Sequence, residues 1–495
     1  MKQFIKYILF FSLLISVKSY GSHTNTYAYY DSLTYDLYTH QQWKKLTVAG
    51  KEALSNGFDY YYLRVRLGIA CYHLQNYRQS ITHFRKALQF NSSDSFALEY
   101  LYYDLIETGQ KEEAILLASQ NPSALSAIAG SGKNPFEFFF AEGGYTPDAI
   151  SGHRPQELMG NDSIYGEEDT YAGESYFHAG TSLHILPSLS CYLGYSNLGI
   201  DKEKHFSGST VVNHLDSINK TIYSLNYFYS FPGKLFDTLI PYNVKQNEFY
   251  ITTSWIPRPG YSITPAFHYI NGITQTYTSE YQLLPRADTS YLLASDNKWY
   301  FINDTVSRYK IGQQVNKYSN YVISLAASKE WRNFSFGINV TYASLTTYGK
   351  QKQLGLNATW FPFGNLNLYA TTSLTGFFYK KDKRLIFDQL VGGRIAPKLW
   401  LEGLFTLGNL SLYNEKNAFI AYNLADRIKL RTGANLIITL GRHIDLSLMY
   451  RFYTKEYDYL YYRKPPVGSP PGSIPITNTI KYNNQSIIGG IKWKL

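Results

Sequence analysis

From residue 136 to the C-terminus, apolar side chains recur at every second position, and this alternation constrains the chain more than any other feature. In the run 333–342, Phe334, Phe336, Ile338, Val340 and Tyr342 share one face, while Asn333, Ser335, Gly337, Asn339 and Thr341 share the other. A strand turns successive side chains to opposite faces, so such a ribbon needs an apolar medium on one side and a polar one on the other. The same period returns in Ile428, Leu430, Ala434, Leu436, Ile438 and Leu440, and again in Ile444, Leu446, Leu448, Tyr450 and Phe452.

The connections between these ribbons alternate in length. Tight turns are expected at Leu186-Pro-Ser188, Phe231-Pro-Gly233, Pro257-Arg-Pro-Gly260, Trp331-Arg-Asn333, Phe363-Gly-Asn365, Ala396-Pro-Lys398 and Gly441-Arg-His443. Long polar connections are expected near 147–172, 199–217, 276–317, 411–426 and 455–480. Short turns at one rim and long loops at the other describe an antiparallel transmembrane β-barrel of the outer-membrane type. Counting between the markers gives about 16 strands, with about 14 as the alternative if the poor strand pattern over 235–246 is lost with its hairpin.

Composition agrees with this class. Charged residues are only 17% of the 495, aromatics are also 17%, and 48 residues are tyrosine, whose ring suits a membrane interface where one end is apolar and the other wet. After the N-terminal run no long apolar stretch follows, which excludes a bundle of membrane-spanning helices. The first residues read as an export signal: Lys2 and Lys6, an apolar run from Tyr7 to Val17, and the small residue Ser19 predict a signal peptide over 1–19. Export takes the chain away from nucleic acid, so the net charge of +10 is read as a surface property beside anionic lipid head groups. Cys71 and Cys191 fall in different domains, and no disulfide framework is expected.

Between the signal and the strands the pattern is helical. The spacing from Trp43 to Tyr77, Leu46 to Ser80, Ala53 to Ala87 and Ser80 to Ala114 is 34 residues in each case. With Leu67, Gly68, Phe84 and Ala87 in place, this segment resembles a tetratricopeptide repeat, although Cys71 and Ser80 replace the family's usual Tyr and Ala. Three units are indexed over 24–123, the third closed early by Asn121-Pro122, and an Ala-, Ser- and Gly-rich linker is expected over 124–135. The resemblance implies a concave surface for a periplasmic protein partner, lined by Tyr62, Tyr72 and His73 in the middle unit and by Phe96, Glu99 and Tyr103 in the last. Ordinary packing between helices is the competing reading of the same six residues.

The polar strand face carries Asp388, Arg394, Glu402, Lys429, Arg431, Asp445, Arg451 and Lys492 toward the barrel lumen by strand parity. These charges either pair across strands and fill the barrel, or line an aqueous passage for a polar or anionic solute or glycan. No catalytic elbow, zinc-protease helix, phosphate loop or paired-cysteine site is present, and neither an enzyme activity nor a cofactor is expected. His178 and His184 share a strand face but lack a third ligand, so no metal site is expected. The last strand, with Ile491, Trp493 and Leu495 on one face, resembles the C-terminal insertion signal of outer-membrane proteins. That likeness implies recognition by the barrel-assembly machinery.

In architecture the chain resembles two groups of tetratricopeptide outer-membrane barrels, the YaiO-like family and the exopolysaccharide-export porins, the second of which has a much longer repeat domain. Asp-Ser/Thr-aliphatic triplets such as Asp31-Ser32-Leu33 and Asp237-Thr238-Leu239 resemble the O-glycosylation pattern of Bacteroidetes. Two functions stay open on these grounds. One is a conduit through the cell outer membrane with the repeats docking a periplasmic partner; the other is a non-conducting barrel that anchors the repeats or displays surface loops.

Overall fold

The computed structural model describes residues 26–129, 134–147, 163–217, 231–285, 290–293, 299–422, 427–463 and 474–495. The expected signal peptide lies outside them, as do residues 130–133 of the expected linker and the tips of several long connections.

Seven helices are described: α1 (Tyr27–Thr39), α2 (Trp43–Ser55), α3 (Tyr61–His73), α4 (Tyr77–Phe90), α5 (Ser95–Glu107), α6 (Lys111–Gln120) and α7 (Pro122–Ala129). Successive helices are joined by turns of at most five residues, so neighbours fold back on one another. The chain divides into two compact units between Asp104 and Leu105, inside α5, whereas the expected 124–135 linker holds most of α7.

In the first unit the 34-residue spacing has a packing cause. Gly68 on α3 lies against the ring of Phe84 on α4, where a Cβ would stand 2.8 Å from ring carbons. Ser80 donates its hydroxyl to the Gly68 carbonyl at 2.9 Å, and Asn76 caps α4 by accepting from the Gln79 amide. Leu46, Leu63, Leu67 and Phe84 are sealed from solvent around this contact.

The second unit holds α6, α7 and a closed antiparallel barrel of fourteen strands. In chain order the strands are β1 (Phe136–Thr146), β2 (Ser163–Leu186), β3 (Leu189–Ser217), β4 (Phe231–Arg258), β5 (Tyr261–Pro285), the short β6 (Ser290–Leu293), β7 (Trp299–Trp331), β8 (Phe334–Leu345), β9 (Gly349–Trp360), β10 (Leu368–Tyr379), β11 (Asp382–Ala396) and β12 (Leu399–Leu407). There follow a miniature hairpin, β13 (Asn414–Glu415) and β14 (Ile420–Ala421), and then β15 (Arg427–Leu440), β16 (Ile444–Arg463) and β17 (Ile474–Lys494). Ring strands pair in sequence, leaving out β6, β13 and β14, and β1 closes on β17 with Gly143 opposite Gly489.

Fourteen is the alternative count and not the expected 16, and the reason lies in β4. Phe231-Pro-Gly233, read as a turn, begins a single strand that runs through 235–246. Pro241 weakened the strand pattern, yet there β4 pairs only with β3, because its ladder to β5 starts at Lys245. A proline with one free edge removes no ladder bond. Most of 199–217, 276–317 and 455–480 is likewise strand rather than loop, since β3, β5, β7, β16 and β17 continue past the barrel proper.

Six tight connections mark one rim, at 187–188, 259–260, 332–333, 361–367, 397–398 and 441–443, with Gly260 and Gly441 in the left-handed region that such turns favour. The opposite rim is uneven: 346–348 and 380–381 are tight there too.

Candidate functional site

Strand parity divides the barrel's side chains sharply. Leu325, Ile338, Leu356, Val391, Leu448 and Ile487 are exposed on the outer face, and Trp255, Trp331, Trp360 and Trp493 stand exposed beside the tight-turn rim. The apolar outward positions of β7 run from Tyr321 to Trp331. Ten residues at roughly 3.3 Å each, tilted by about 40°, give a belt about 25 Å tall. Ile491, Trp493 and Leu495 of the last strand belong to it.

The inner face is occupied by a segment expected at the surface. After Leu407 the chain leaves the wall, and residues 408–422 cross the lumen before the next described strand begins at Arg427. Leu410, Leu412, Tyr413 and Ala418 pack with Val322, Ala343, Leu345, Phe377, Ile386 and Ile428, filling the lumen along β7–β11 and β15. The segment is compact: Gly408, Leu412, Lys416, Asn417 and Ala418 all take positive φ, a conformation that four non-glycine residues hold only when their surroundings fix it.

Its anchors come from most of the ring. Arg431 on β15 is 2% exposed and donates from both terminal nitrogens to Glu415, at 2.8 Å for Nη2 to Oε1. The same guanidinium reaches Tyr422, Thr406 and Asp388, which places all five of its N–H groups. Tyr413 donates to Thr375 on β10, Asn417 donates to the Thr264 carbonyl on β5, and His268 Nδ1 lies 2.7 Å from the Ala418 carbonyl. Tyr250 on β4 donates to the Asn417 carbonyl, and the ring of Phe419 meets those of Tyr250 and His178 on β2. Gln353 on β9 exchanges hydrogen bonds with Asn414 once its amide is oriented to suit both groups. His178, Tyr250, His268, Gln353, Thr375 and Arg431 each stand seven to nine residues from the tight-turn end of their strands, so the segment crosses at one level.

On the other side a cavity of about 750 Å³ remains between the segment and β1 to β4 and β15 to β17. Phe138, Phe140, Tyr176, Tyr192, Phe419 and Tyr453 give it aromatic walls. Its carboxylates are engaged: Glu142 accepts from Tyr176, Glu174 from Tyr171, Glu248 from Gln246, and Asp445 meets Lys494 and Thr439. Lys416, Arg451 and Lys492 line the same cavity with no salt bridge among the described residues, Lys492 resting on the ring of Phe138 at 3.7 Å. The cavity therefore carries charges of both signs, because the neutral phenols that bond Glu142 and Glu174 leave those carboxylate charges in place.

The eight residues assigned to the lumen from parity divide accordingly. Asp388, Glu402, Arg431, Asp445, Arg451 and Lys492 face inward; Glu402 accepts from Tyr369 and, at 2.9 Å, from Asn435. Arg394 is exposed at the tight-turn rim, beside a register shift between Arg394 and Ala396. Lys429 corrects the parity reading: a bulge between Ile428 and Leu430 reverses the alternation, Ile428 turns inward, and Lys429 reaches Glu456 at 3.5 Å on the outer side.

In the helical unit Tyr62, Phe96 and Tyr103 are exposed and Glu99 is half-buried. Tyr72 packs against Tyr77 and Tyr100, and the exposed His73 stacks on Trp43 at 4.5 Å. His178, set beside His184 in the sequence, instead bonds Ser196 and Tyr192. Among the described residues no group of three His, Cys, Asp or Glu side chains is placed to hold a metal ion.

Glu415, Lys416 and Tyr422 were missed because 411–426 reads as a polar loop. A signal was present in Leu410, Leu412, Tyr413, Phe419 and Ile420, more apolar side chains than a water-exposed loop of that length requires.

No family model matches the chain. Over 77 residues it is 46% identical to the Vi polysaccharide export protein VexE of Salmonella typhi, a match spanning 14% of this chain and 12% of that protein. Among solved structures, it is similar to a Pseudomonas aeruginosa FadL homologue at TM-score 0.36 and 8% identity, covering 74% of this chain and 94% of that one. Another is described as a bacterial polysaccharide outer membrane secretin, at TM-score 0.32, 8% identity, and coverage of 72% and 98%. A third is the toluene transporter TodX of P. putida, at TM-score 0.35, 8% identity, and coverage of 77% and 94%.

Proposed function

We propose that this protein is an outer-membrane conduit for a polar or anionic solute or glycan, with the N-terminal helical repeats docking a periplasmic partner. The observation that carries the reading is the division of the barrel wall, with an apolar outer belt rimmed by tryptophan and a charged, aromatic-walled cavity inside. An outer face of this kind is stable in lipid and costly in water, whereas the interior charges would be costly anywhere but in a wet lumen. The short stretch of identity to a polysaccharide export protein supports a glycan as cargo, and aromatic faces with charged neighbours suit sugars. An even strand count brings both barrel ends to one rim, and on this reading that rim and the helices that precede β1 are periplasmic.

The second reading is a non-conducting barrel that anchors the helices, and the segment 408–422 across the lumen favours it. Recording from the purified full chain in planar bilayers separates the two. Discrete conductance steps, with sugar acids entering proteoliposomes, support the conduit. A correctly folded barrel that stays silent at every voltage supports the anchor.

A further inference from the structure

We propose that residues 408–422 are the element that sets the width and charge of the passage, and that Arg431 is a positioning residue that holds this element rather than a cation offered to the cargo. The inference deepens the conduit reading at the same lumen. Three observations carry it.

First, Arg431 has no donor left for a ligand. Its five N–H groups are committed to Glu415, Tyr422, Thr406 and Asp388, and two of those partners, Glu415 and Tyr422, belong to the crossing segment. A planar fork bound to a carboxylate at two points fixes direction as well as distance. Secondly, the segment is seated on one half of the ring by an apolar cluster, while its other side, Lys416 to Tyr422, forms a wall of the open cavity. The free cross-section is therefore what the segment leaves. Thirdly, the clamp at Glu415 presents the next residue, Lys416, to that cavity with no salt bridge among the described residues, in a lining that also carries Arg451 and Glu142. The cation that meets an anionic cargo is Lys416, and a loop holds it there across the lumen.

The experiment uses the full chain in planar bilayers with potassium chloride, and heat-modifiable migration on gels as the check on barrel assembly. Replacing 410–421 by a short Gly-Ser link is expected to raise single-channel conductance several-fold. Arg431→Met, and Glu415→Gln should the first variant fail to assemble, are expected to raise conductance with added flicker, because the segment loses its clamp but not its apolar seat. Lys416→Glu is expected to leave conductance near that of the parent while moving the reversal potential in a salt gradient toward cation preference. A merely structural arginine would not move conductance in an assembled barrel. Equal conductance in parent and excision variant overturns the inference while leaving the conduit standing. A silent parent with a conducting excision variant supports the inference and overturns the open conduit. Silence in both overturns both.

Discussion

The hydroxyl of Tyr250 donates to the backbone carbonyl of Asn417 at 3.1 Å, across 167 residues of chain. One residue stands in the wall on β4, and the other lies at the tip of a segment that leaves the wall between β12 and β15. The bond pins that tip to the far side of the lumen, and its removal should show there first. Tyr250→Phe costs about 1 kcal/mol net at one hydrogen bond. Amide exchange at residues 416–419 should therefore quicken by roughly five-fold, while exchange in the strands stays unchanged. Unaltered exchange at 416–419 would mean that the apolar seat alone holds the tip.

The outer face offers a test of the medium it meets. Leu356 is 55% exposed, midway along the belt. In water, Leu356→Arg at such a position would be nearly neutral. In lipid it should cost about 2–4 kcal/mol at mid-depth. Reversible unfolding in detergent-free bilayers decides between the two, and a neutral result would remove the membrane from the account.

How much of this was legible in the sequence depends on which residues repeat. Period-two alternation marked β8, β15 and β16 because each side chain reports the face it occupies, and six of the seven tight turns carried their Pro, Gly or Asn signals in the right places. Lys429 was misplaced because a single inserted residue between Ile428 and Leu430 inverts parity and leaves no compositional mark. The inward segment was missed for a different reason. Its fold is dictated by long-range partners such as Arg431, Tyr250 and His268, and nothing local in 408–422 names them.

In the helical unit the close approach of α3 and α4 is the point of least tolerance. Gly68→Ala would place a methyl group 2.8 Å from the sealed ring of Phe84, which has no room to withdraw. Overpacking of this kind costs about 1–3 kcal/mol. Limited proteolysis should cut within 60–90 markedly faster in this variant, with the barrel fragment as resistant as before. Equal cutting would contradict the packing described.

The same unit should weaken in mild acid. Burial, reinforced by the Arg64 guanidinium 3.2 Å away, pushes the His83 imidazole down to about 4. An unfolded chain holds its histidines near 6.5, so the unfolded form binds the extra proton first. Stability at this site is complete above about 6.5 and declines as pH falls toward 4. Amide exchange in α3 and α4, corrected for intrinsic rates, should quicken between pH 7 and pH 5, and His83→Gln should flatten that dependence. A profile identical in both proteins would assign the pH response elsewhere.

The central claim is that cargo passes through the cavity beside the crossing segment, and adjacent residues of β16 test it directly. Ser447 lines that cavity, whereas Leu448 is 54% exposed on the outer belt. Both native cysteines are buried, which leaves an introduced thiol as the reactive one. In planar bilayers, a charged methanethiosulfonate reagent added to Ser447→Cys should reduce single-channel current stepwise and irreversibly, and the same reagent on Leu448→Cys should leave it unchanged. Block at Leu448→Cys, or current indifferent to modification at Ser447→Cys, would contradict a passage along this wall.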